Sequence, residues 1–231
     1  MRPLIVAIDG PAGAGKSTVS KLLARRLGLS FVDTGALYRT VALSARRQGI
    51  AATDDGALGA LLGKIRISFQ AAGEQNRVFL DAEDVSSEIR TPEISLLASA
   101  VSARPVVREG LLGLQRRLAL EAPVGAVLEG RDIGTVVFPN ADVKFYLDAS
   151  AEERARRRAH DESHSGGQQG SVDSLRTDMA ARDQSDSTRK VAPLQMAPDA
   201  IYVDTTELDV EQVFKVIFDR VTDAKQDRSA G

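Results

Sequence analysis

Gly10-Pro11-Ala12-Gly13-Ala14-Gly15-Lys16-Ser17-Thr18 decides the reading of this chain. An apolar run, Leu4-Ile5-Val6-Ala7-Ile8, precedes it, and a helical pattern, Val19-Ser20-Lys21-Leu22-Leu23-Ala24, follows it. Strand, glycine-rich loop and helix in that order, with G-x-x-x-x-G-K-S at 10–17, make a phosphate-binding P-loop. Glycines let the backbone curl until its N–H groups converge on phosphate oxygens. The amino terminus of the helix adds partial positive charge at the same place. Lys16 is placed to reach the β- and γ-phosphates, and the Ser17 hydroxyl to ligate Mg²⁺. Residues 10–18 are thus expected to bind a nucleoside triphosphate, which leaves open what accepts the phosphate.

Outward from the loop, the first helix runs over 15–27 and stops at Gly28. A short strand is expected at 29–33, followed by a helix from Thr34 to about Gly49 and another over 54–64. At 65–89 the period changes. Ile65, Ile67 and Phe69 alternate with polar residues, a polar turn occupies 72–76, and Val78-Phe79-Leu80 follows, so a β-hairpin stands outside the strand–helix rhythm. Helices are expected at 93–103, capped by Thr91, and at 107–120, with Pro105 as an interruption. Residues 124–129 and 142–147 read as buried strands, and Ser150 caps a helix carrying Arg154, Arg156, Arg157 and Arg158. The polar stretch 160–174, with Ser165-Gly166-Gly167-Gln168-Gln169-Gly170, reads as a mobile loop. A helix at 175–186, a last strand at 200–203, a closing helix at 210–221 and a frayed tail at 222–231 complete the chain.

Composition sets the outer limits. The chain has 231 residues, 43% hydrophobic and 27% charged, as expected of a full α/β core. A net charge of −2 gives no global attraction to nucleic acid. There are no cysteines, which excludes disulfides and thiolate metal sites and fits a reducing cytoplasm. No apolar run reaches the ~18 residues that span a bilayer. Arginine outnumbers lysine 23 to 7, and arginine grips phosphate and carboxylate in a bidentate fork. His160 and His164 stand in His-Asp-Glu-Ser-His, which lacks the zinc-binding order His-Glu-x-x-His. Tyr38, Phe69, Phe79 and Phe145 read as core residues, because aromatics at 4% are too sparse to stack single-stranded bases.

The phosphate acceptor is marked by basic residues near the expected carboxyl edge of the sheet. Arg39 follows the second strand, Arg131 a later one, Arg154 to Arg158 precede the polar loop, and Arg182 and Arg189 follow it. Phosphoryl transfer needs charge stabilised on the moving group and water kept out by a lid. A guanine-reading Asn-Lys-x-Asp segment is absent, which argues against a GTP switch.

The motifs at 10–18, Asp-Thr-Gly-Ala-Leu-Tyr-Arg at 33–39, Glu-Asp-Val-Ser-Ser-Glu-Ile-Arg-Thr-Pro-Glu at 83–93, Glu-Gly-Arg-Asp-Ile-Gly-Thr-Val-Val-Phe-Pro at 129–139 and Arg-Asp-x-x-Asp-Ser-x-Arg at 182–189 resemble the bacterial cytidylate kinases. The resemblance spans about 4–221. It implies a three-layer α/β P-loop fold with a five-stranded parallel sheet. Core segments lie at 1–34, 106–154 and 181–231, a nucleoside-monophosphate lobe with the inserted hairpin at 35–105, and a mobile lid at 155–180. It implies transfer of the γ-phosphoryl group of ATP to CMP or dCMP with Mg²⁺, by a cytoplasmic monomer that engages neither nucleic acid nor membrane. Lys16, Arg131 and Arg158 are the catalytic cations it implies. Thr34, Arg39, Ser99, Arg108, Arg131, Asp132, Arg182, Asp186 and Arg189 form the implied acceptor site. Within it Arg39, Arg131 and Arg189 clamp the CMP phosphate, Arg182 and Asp186 hold the ribose, and Ser99 and Arg108 meet the N3 and O2 side of the ring.

The chemistry fits that assignment. Cytosine differs from uracil by a donor amino group at N4, so reading it requires an acceptor, and Asp132 supplies one. Arg108 could hold that carboxylate ionised. A purely structural pairing of Asp132 with Arg108 or Arg131 is the competing reading. No general base is needed, because the accepting phosphate oxygen is already ionised near neutral pH. A kinase for UMP or AMP, and a non-catalytic ATP-binding module, are the alternatives that turnover would separate.

Overall fold

The computed structural model describes residues 2–72, 75–164 and 171–230. The tip of the expected hairpin turn and the serine-, glycine- and glutamine-rich centre of the expected lid lie outside them.

The central strand is β1 (Leu4–Asp9). It pairs with β6 (Gly125–Gly130) on one side and β7 (Val143–Asp148) on the other, while β2 (Ser30–Asp33) and β8 (Ile201–Asp204) form the edges. The order is β2-β6-β1-β7-β8, all parallel. β1 is apolar almost throughout because both of its faces are covered, as parallel sheets require. Leu4, Val6 and Ile8 pack towards α1 (Lys16–Leu27) and α8 (Val210–Ala230). Ile5 and Ala7 pack in a second layer with Ala119 of α5 (Pro105–Leu120).

Between β2 and β6 the chain builds a separate core. α2 (Thr34–Arg47), α3 (Asp55–Leu62) and α4 (Pro92–Ser102) surround Leu37, Leu58, Val78, Ile89 and Ile94. Beside them, β3 (Ile67–Ala72), β4 (Gln75–Leu80) and β5 (Glu83–Asp84) form an antiparallel sheet. The expected hairpin is present with longer arms than the sequence indicated, and β5 is a third strand too short to carry a period. Thr91 caps α4 by accepting the Ile94 amide, with Pro92 at the first helical position.

Three expectations need correction. Pro105, expected as the break before a helix starting at 107, is instead the first residue of α5, where its missing N–H is harmless. The polar stretch 160–174 is largely helical in its described part: α6 (Ala151–His164) continues through His160, and α7 (Val172–Thr188) starts before Leu175. The tail 222–231 does not fray at 222, since α8 continues to Ala230. Its polar residues read as solvated, yet Arg228 donates to the Arg2 carbonyl at 2.6 Å and to Asp142 at 3.3 Å. Asp142 has a side chain only 5% exposed, and it also holds Arg2 at 2.6 Å and the Ile5 amide at 2.8 Å. The two ends of the chain are thereby fastened to one buried carboxylate. No helix among the described residues is long and apolar enough to cross a membrane.

Candidate active site

Three adjacent strands end in a row at the carboxyl edge of the sheet. β2 ends at Asp33, β6 at Glu129-Gly130 and β1 at Asp9, with Asp33 paired to Glu129 and Asp9 to Gly130 in register. Parallel sheets bind ligands at this edge. The P-loop leaves β1 here. Its first glycine has φ 143°, and a Cβ at Gly10 would stand 1.9 Å from the Leu147 carbonyl oxygen, so only glycine fits. Lys16 Nζ donates to the Pro11 carbonyl at 2.7 Å, across its own loop.

Ser17 Oγ donates to Glu129 Oε1 at 2.8 Å, and Glu129 Oε2 is buried with no partner among the described residues. Burial, with the Asp33 charge second, raises Glu129 to about 7. Burial of the ammonium and then the charge of Arg131 lower Lys16 to about 7. Asp9 is raised to about 6 by burial, although the amides of Ile133 and Gly134 donate to it at 2.8 and 2.7 Å. Those two residues open a π-helical turn, Ile133–Val137, that follows Asp132.

Beyond the loop lies an arginine–carboxylate network. Arg108 pairs with Asp132 at 2.6 Å, and Arg189 lies 3.7 Å from the other Asp132 oxygen. Arg131 and Arg189 both hold Asp186, at 2.9 and 3.1 Å. Arg131 also donates to the Gly10 carbonyl, which ties the network to the P-loop. Ala192 adopts φ 51°, and its carbonyl accepts from Arg189 Nε at 2.6 Å. Arg39 pairs with Asp33 at 2.8 Å, while the other Asp33 oxygen caps α2 at the Ala36 amide. Arg182 is lowered to about 10 by burial and then by Arg131, and burial followed by Arg108 lowers Arg189. Arg39 Nε, Arg108 Nε, Arg182 Nε and Arg189 Nη2 are buried with no hydrogen-bond partner among the described residues, Arg189 Nη2 standing only at ion-pair distance from Asp132. Crowded cations with unused N–H groups make a site for a multivalent anion.

Arg39, Arg108, Arg131, Asp132, Arg182, Asp186 and Arg189 therefore come together, with Lys16 and Ser17 beside them. Thr34 is close, but its hydroxyl donates to the Glu129 carbonyl at 2.7 Å and so holds the start of α2 to β6. Ser99 sits on α4 in a cleft of about 650 Å³ faced by Ser185 of α7. It is linked to Arg108 only indirectly: Ser102 Oγ donates to the Ser99 carbonyl, and Arg108 donates to the Ser102 carbonyl. Arg158 lies on α6, one turn beyond Arg154, which touches the P-loop.

Residues 6–223 match the family model described as cytidylate kinase. The chain belongs to the cytidylate kinase family. It is 55% identical over 212 residues to the cytidylate kinase of Geobacter sulfurreducens, covering 92% of this chain and 90% of the relative. It is 48% identical to the enzyme of that name from Limosilactobacillus fermentum, covering 94% of each. The fold is that of P-loop kinases: a gluconokinase from Sinorhizobium meliloti superposes with TM-score 0.51 at 14% identity, covering 98% of this chain and 96% of that one.

This cytidylate kinase family site contains residues that reading the sequence did not single out. Glu129 and Asp9 stand at strand ends where the pattern gives them no role, and only the strand order places them against Ser17 and the π turn. Tyr38 reads as core and packs half-buried against the cluster of α2, α3 and α4, but the Arg108 guanidinium lies 5.2 Å from the centre of its ring and Gln115 donates to its hydroxyl at 3.2 Å. It therefore supports the Arg108–Asp132 pair from beneath.

Proposed function

We propose that this chain transfers the γ-phosphoryl group of ATP to CMP or dCMP, giving ADP and the nucleoside diphosphate. The observation that carries the reading is the set of buried arginine N–H groups without hydrogen-bond partners among the described residues, gathered between the P-loop and an ion-paired Asp132. The acceptor phosphate would meet Arg39, Arg131 and Arg189, the ribose Arg182 and Asp186, and the ring edge Arg108 and Asp132. Bound phosphates would also favour the charged form of Lys16, which burial and the neighbouring Arg131 disfavour. The reaction then follows from positioning and electrostatics: Lys16, Arg131 and Arg158 hold the charge of the transferring group, and the acceptor oxygen needs no base. Residues 35–105 serve as the monophosphate lobe and 155–180 as the lid.

The residues present fit Mg²⁺. The Ser17 hydroxyl and the unused Glu129 oxygen offer two hard oxygen donors. Among the described residues no group of three or more His, Cys, Asp or Glu could hold a metal alone. That suits an ion held by one or two protein oxygens together with substrate phosphates. When bound there, Mg²⁺ would supply positive charge against the charge that develops on the phosphate oxygens. Its charge also favours the ionised Glu129. We further read the enzyme as a cytoplasmic monomer acting on small molecules, in keeping with a sequence free of cysteine and close to neutral in net charge.

The test is ADP release with Mg²⁺-ATP and each of CMP, dCMP, UMP and AMP. Turnover highest with CMP or dCMP is the expected result. Preference for UMP or AMP would move the specificity, and no turnover with any acceptor would defeat the reading.

A further inference from the structure

α7 faces both halves of the site. Arg182, Asp186 and Arg189 recur at helical spacing and face the acceptor network, where Asp186 holds Arg131 and Arg189. Met179 and Asp183, also one turn apart, face the P-loop instead. Asp183 Oδ1 accepts from the Ala12 amide at 3.3 Å. Arg154 of α6 donates to the Ala12 carbonyl at 3.1 Å and forms an ion pair with Asp183. It is itself fixed by a bond to the Ala149 carbonyl at 3.1 Å. A Cβ at Gly13 would lie 2.7 Å from Met179 Cε and 3.0 Å from Arg154 Cβ. Both helices therefore rest directly on the loop.

We propose that Asp183 is a positioning residue which, with Arg154, couples the ATP site to the acceptor site through α7. The inference rests on the kinase reading above. Ala12 is gripped on its N–H by a carboxylate and on its C=O by a guanidinium, so its position and orientation are fixed. The orientation of that residue sets where the amides of the rest of the loop point, and a loop already curled binds phosphate without reorganising. Arg154 cancels the charge of Asp183, which is why a carboxylate can stand beside a triphosphate-binding loop. Triphosphate stiffens the loop, the loop holds Asp183, and Asp183 holds α7 in the register that aims Arg182 and Arg189 at the acceptor. Coupling of this kind is reciprocal, so each substrate tightens the other equally.

The test is calorimetric. The dissociation constant of the acceptor is measured alone and with saturating AMP-PNP and Mg²⁺, in wild type, Asp183→Ala, Asp183→Asn, Arg154→Ala and the double variant. The acceptor is whichever of CMP, dCMP, UMP and AMP the wild type turns over, so a wrong assignment of the base changes the probe and not the coupling factor. Wild type is expected to bind acceptor at least about fivefold more tightly with AMP-PNP present. Asp183→Ala brings that factor to about one, with acceptor affinity in the absence of AMP-PNP held within about twofold. Asp183→Asn keeps part of the factor, since its amide oxygen still accepts from Ala12. The double variant loses no more than Asp183→Ala. A factor unchanged in Asp183→Ala, or a wild-type factor of one, overturns the proposal. So does an equal loss of unaided acceptor affinity with a lower melting temperature, which would make Asp183 mere scaffold. Should no acceptor be turned over, the kinase reading fails by itself. The grip on Ala12 is then judged by AMP-PNP affinity alone, where a loss of about tenfold in Asp183→Ala upholds it and no loss overturns it.

Discussion

Asp132 and Arg108, with side chains 8% and 5% exposed, neutralise each other at 2.6 Å and leave the rest of their hydrogen-bonding capacity for a base. Removing one member strands the other. Asp132→Ala should cost about 3–5 kcal/mol of stability, seen as a lower melting temperature. Asp132→Asn avoids most of that loss and isolates recognition. Its amide can donate to the carbonyl that uracil carries where cytosine has an amino group. ADP-release kinetics should show kcat/KM for CMP reduced roughly 100-fold and the CMP-over-UMP preference collapsed. Glu129 makes a prediction in pH. Its ordinary value of 4.5 is raised to about 7 in the fold, so the native protein holds the proton more tightly than the unfolded chain. The resulting stabilisation is complete below pH 4.5 and lost as pH rises through about 7. Urea unfolding should show wild type losing up to ~3 kcal/mol relative to Glu129→Gln across that window. Lys16, lowered from 10.5 to about 7, has the opposite sign above pH 7, where stability returns as pH rises. A least stable ligand-free protein near pH 7 is the combined expectation. The sequence marks Lys16, Ser17 and the arginines because motif spacing is local. It does not mark Glu129 or Asp9, whose roles arise only when β6 and β2 lie side by side.

At the level of elements, the β1–loop–α1 unit is legible because apolar run, glycine spacing and helical period agree at one junction. The same agreement makes it intolerant. Gly10→Ala places a methyl group 1.9 Å from the Leu147 oxygen at φ 143°, and a loss of at least ~3 kcal/mol with no measurable ATP binding is expected from unfolding and nucleotide titration. Helix ends were less legible. Polar residues at 222–231 and 160–164 lower the apolar signal, yet α8 and α6 continue through them. For α8 the reason is Arg228, whose partner Asp142 is remote in sequence. Arg228→Ala should lower stability by about 1 kcal/mol in a thermal melt, with kcat unchanged. β5 escaped notice because two residues cannot show alternation, and its pairing is set by β4.

For the whole molecule, acceptor residues come from five places: α2 supplies Thr34 and Arg39, α4 Ser99, α5 Arg108, the turn after β6 Arg131 and Asp132, and α7 with the residue that follows it Arg182, Asp186 and Arg189. If the lobe and lid move relative to the core, as proposed, the site tightens when its ligands arrive. Small-angle scattering should show a smaller radius of gyration with CMP and AMP-PNP together than with neither, and an unchanged radius would count against closure. The parallel sheet was legible from the alternation of strands and helices, and its order less so, since nothing local says that β6 inserts between β2 and β1.

That insertion governs how the chain acquires its shape as it is made. β1 pairs only with β6 and β7, and β2 only with β6, so neither has a neighbour while the intervening residues are still being added. At ~5–20 residues per second, Gly125 follows its partner Leu4 by roughly 6–24 s. Over that interval the segment between them already holds a complete apolar cluster, drawn wholly from residues 36–118, and a sheet of its own. The inserted lobe is thus the first part of the nascent polypeptide able to bury its side chains. The strand that bears the P-loop, although translated first, waits for residues 125–148 before it has neighbours.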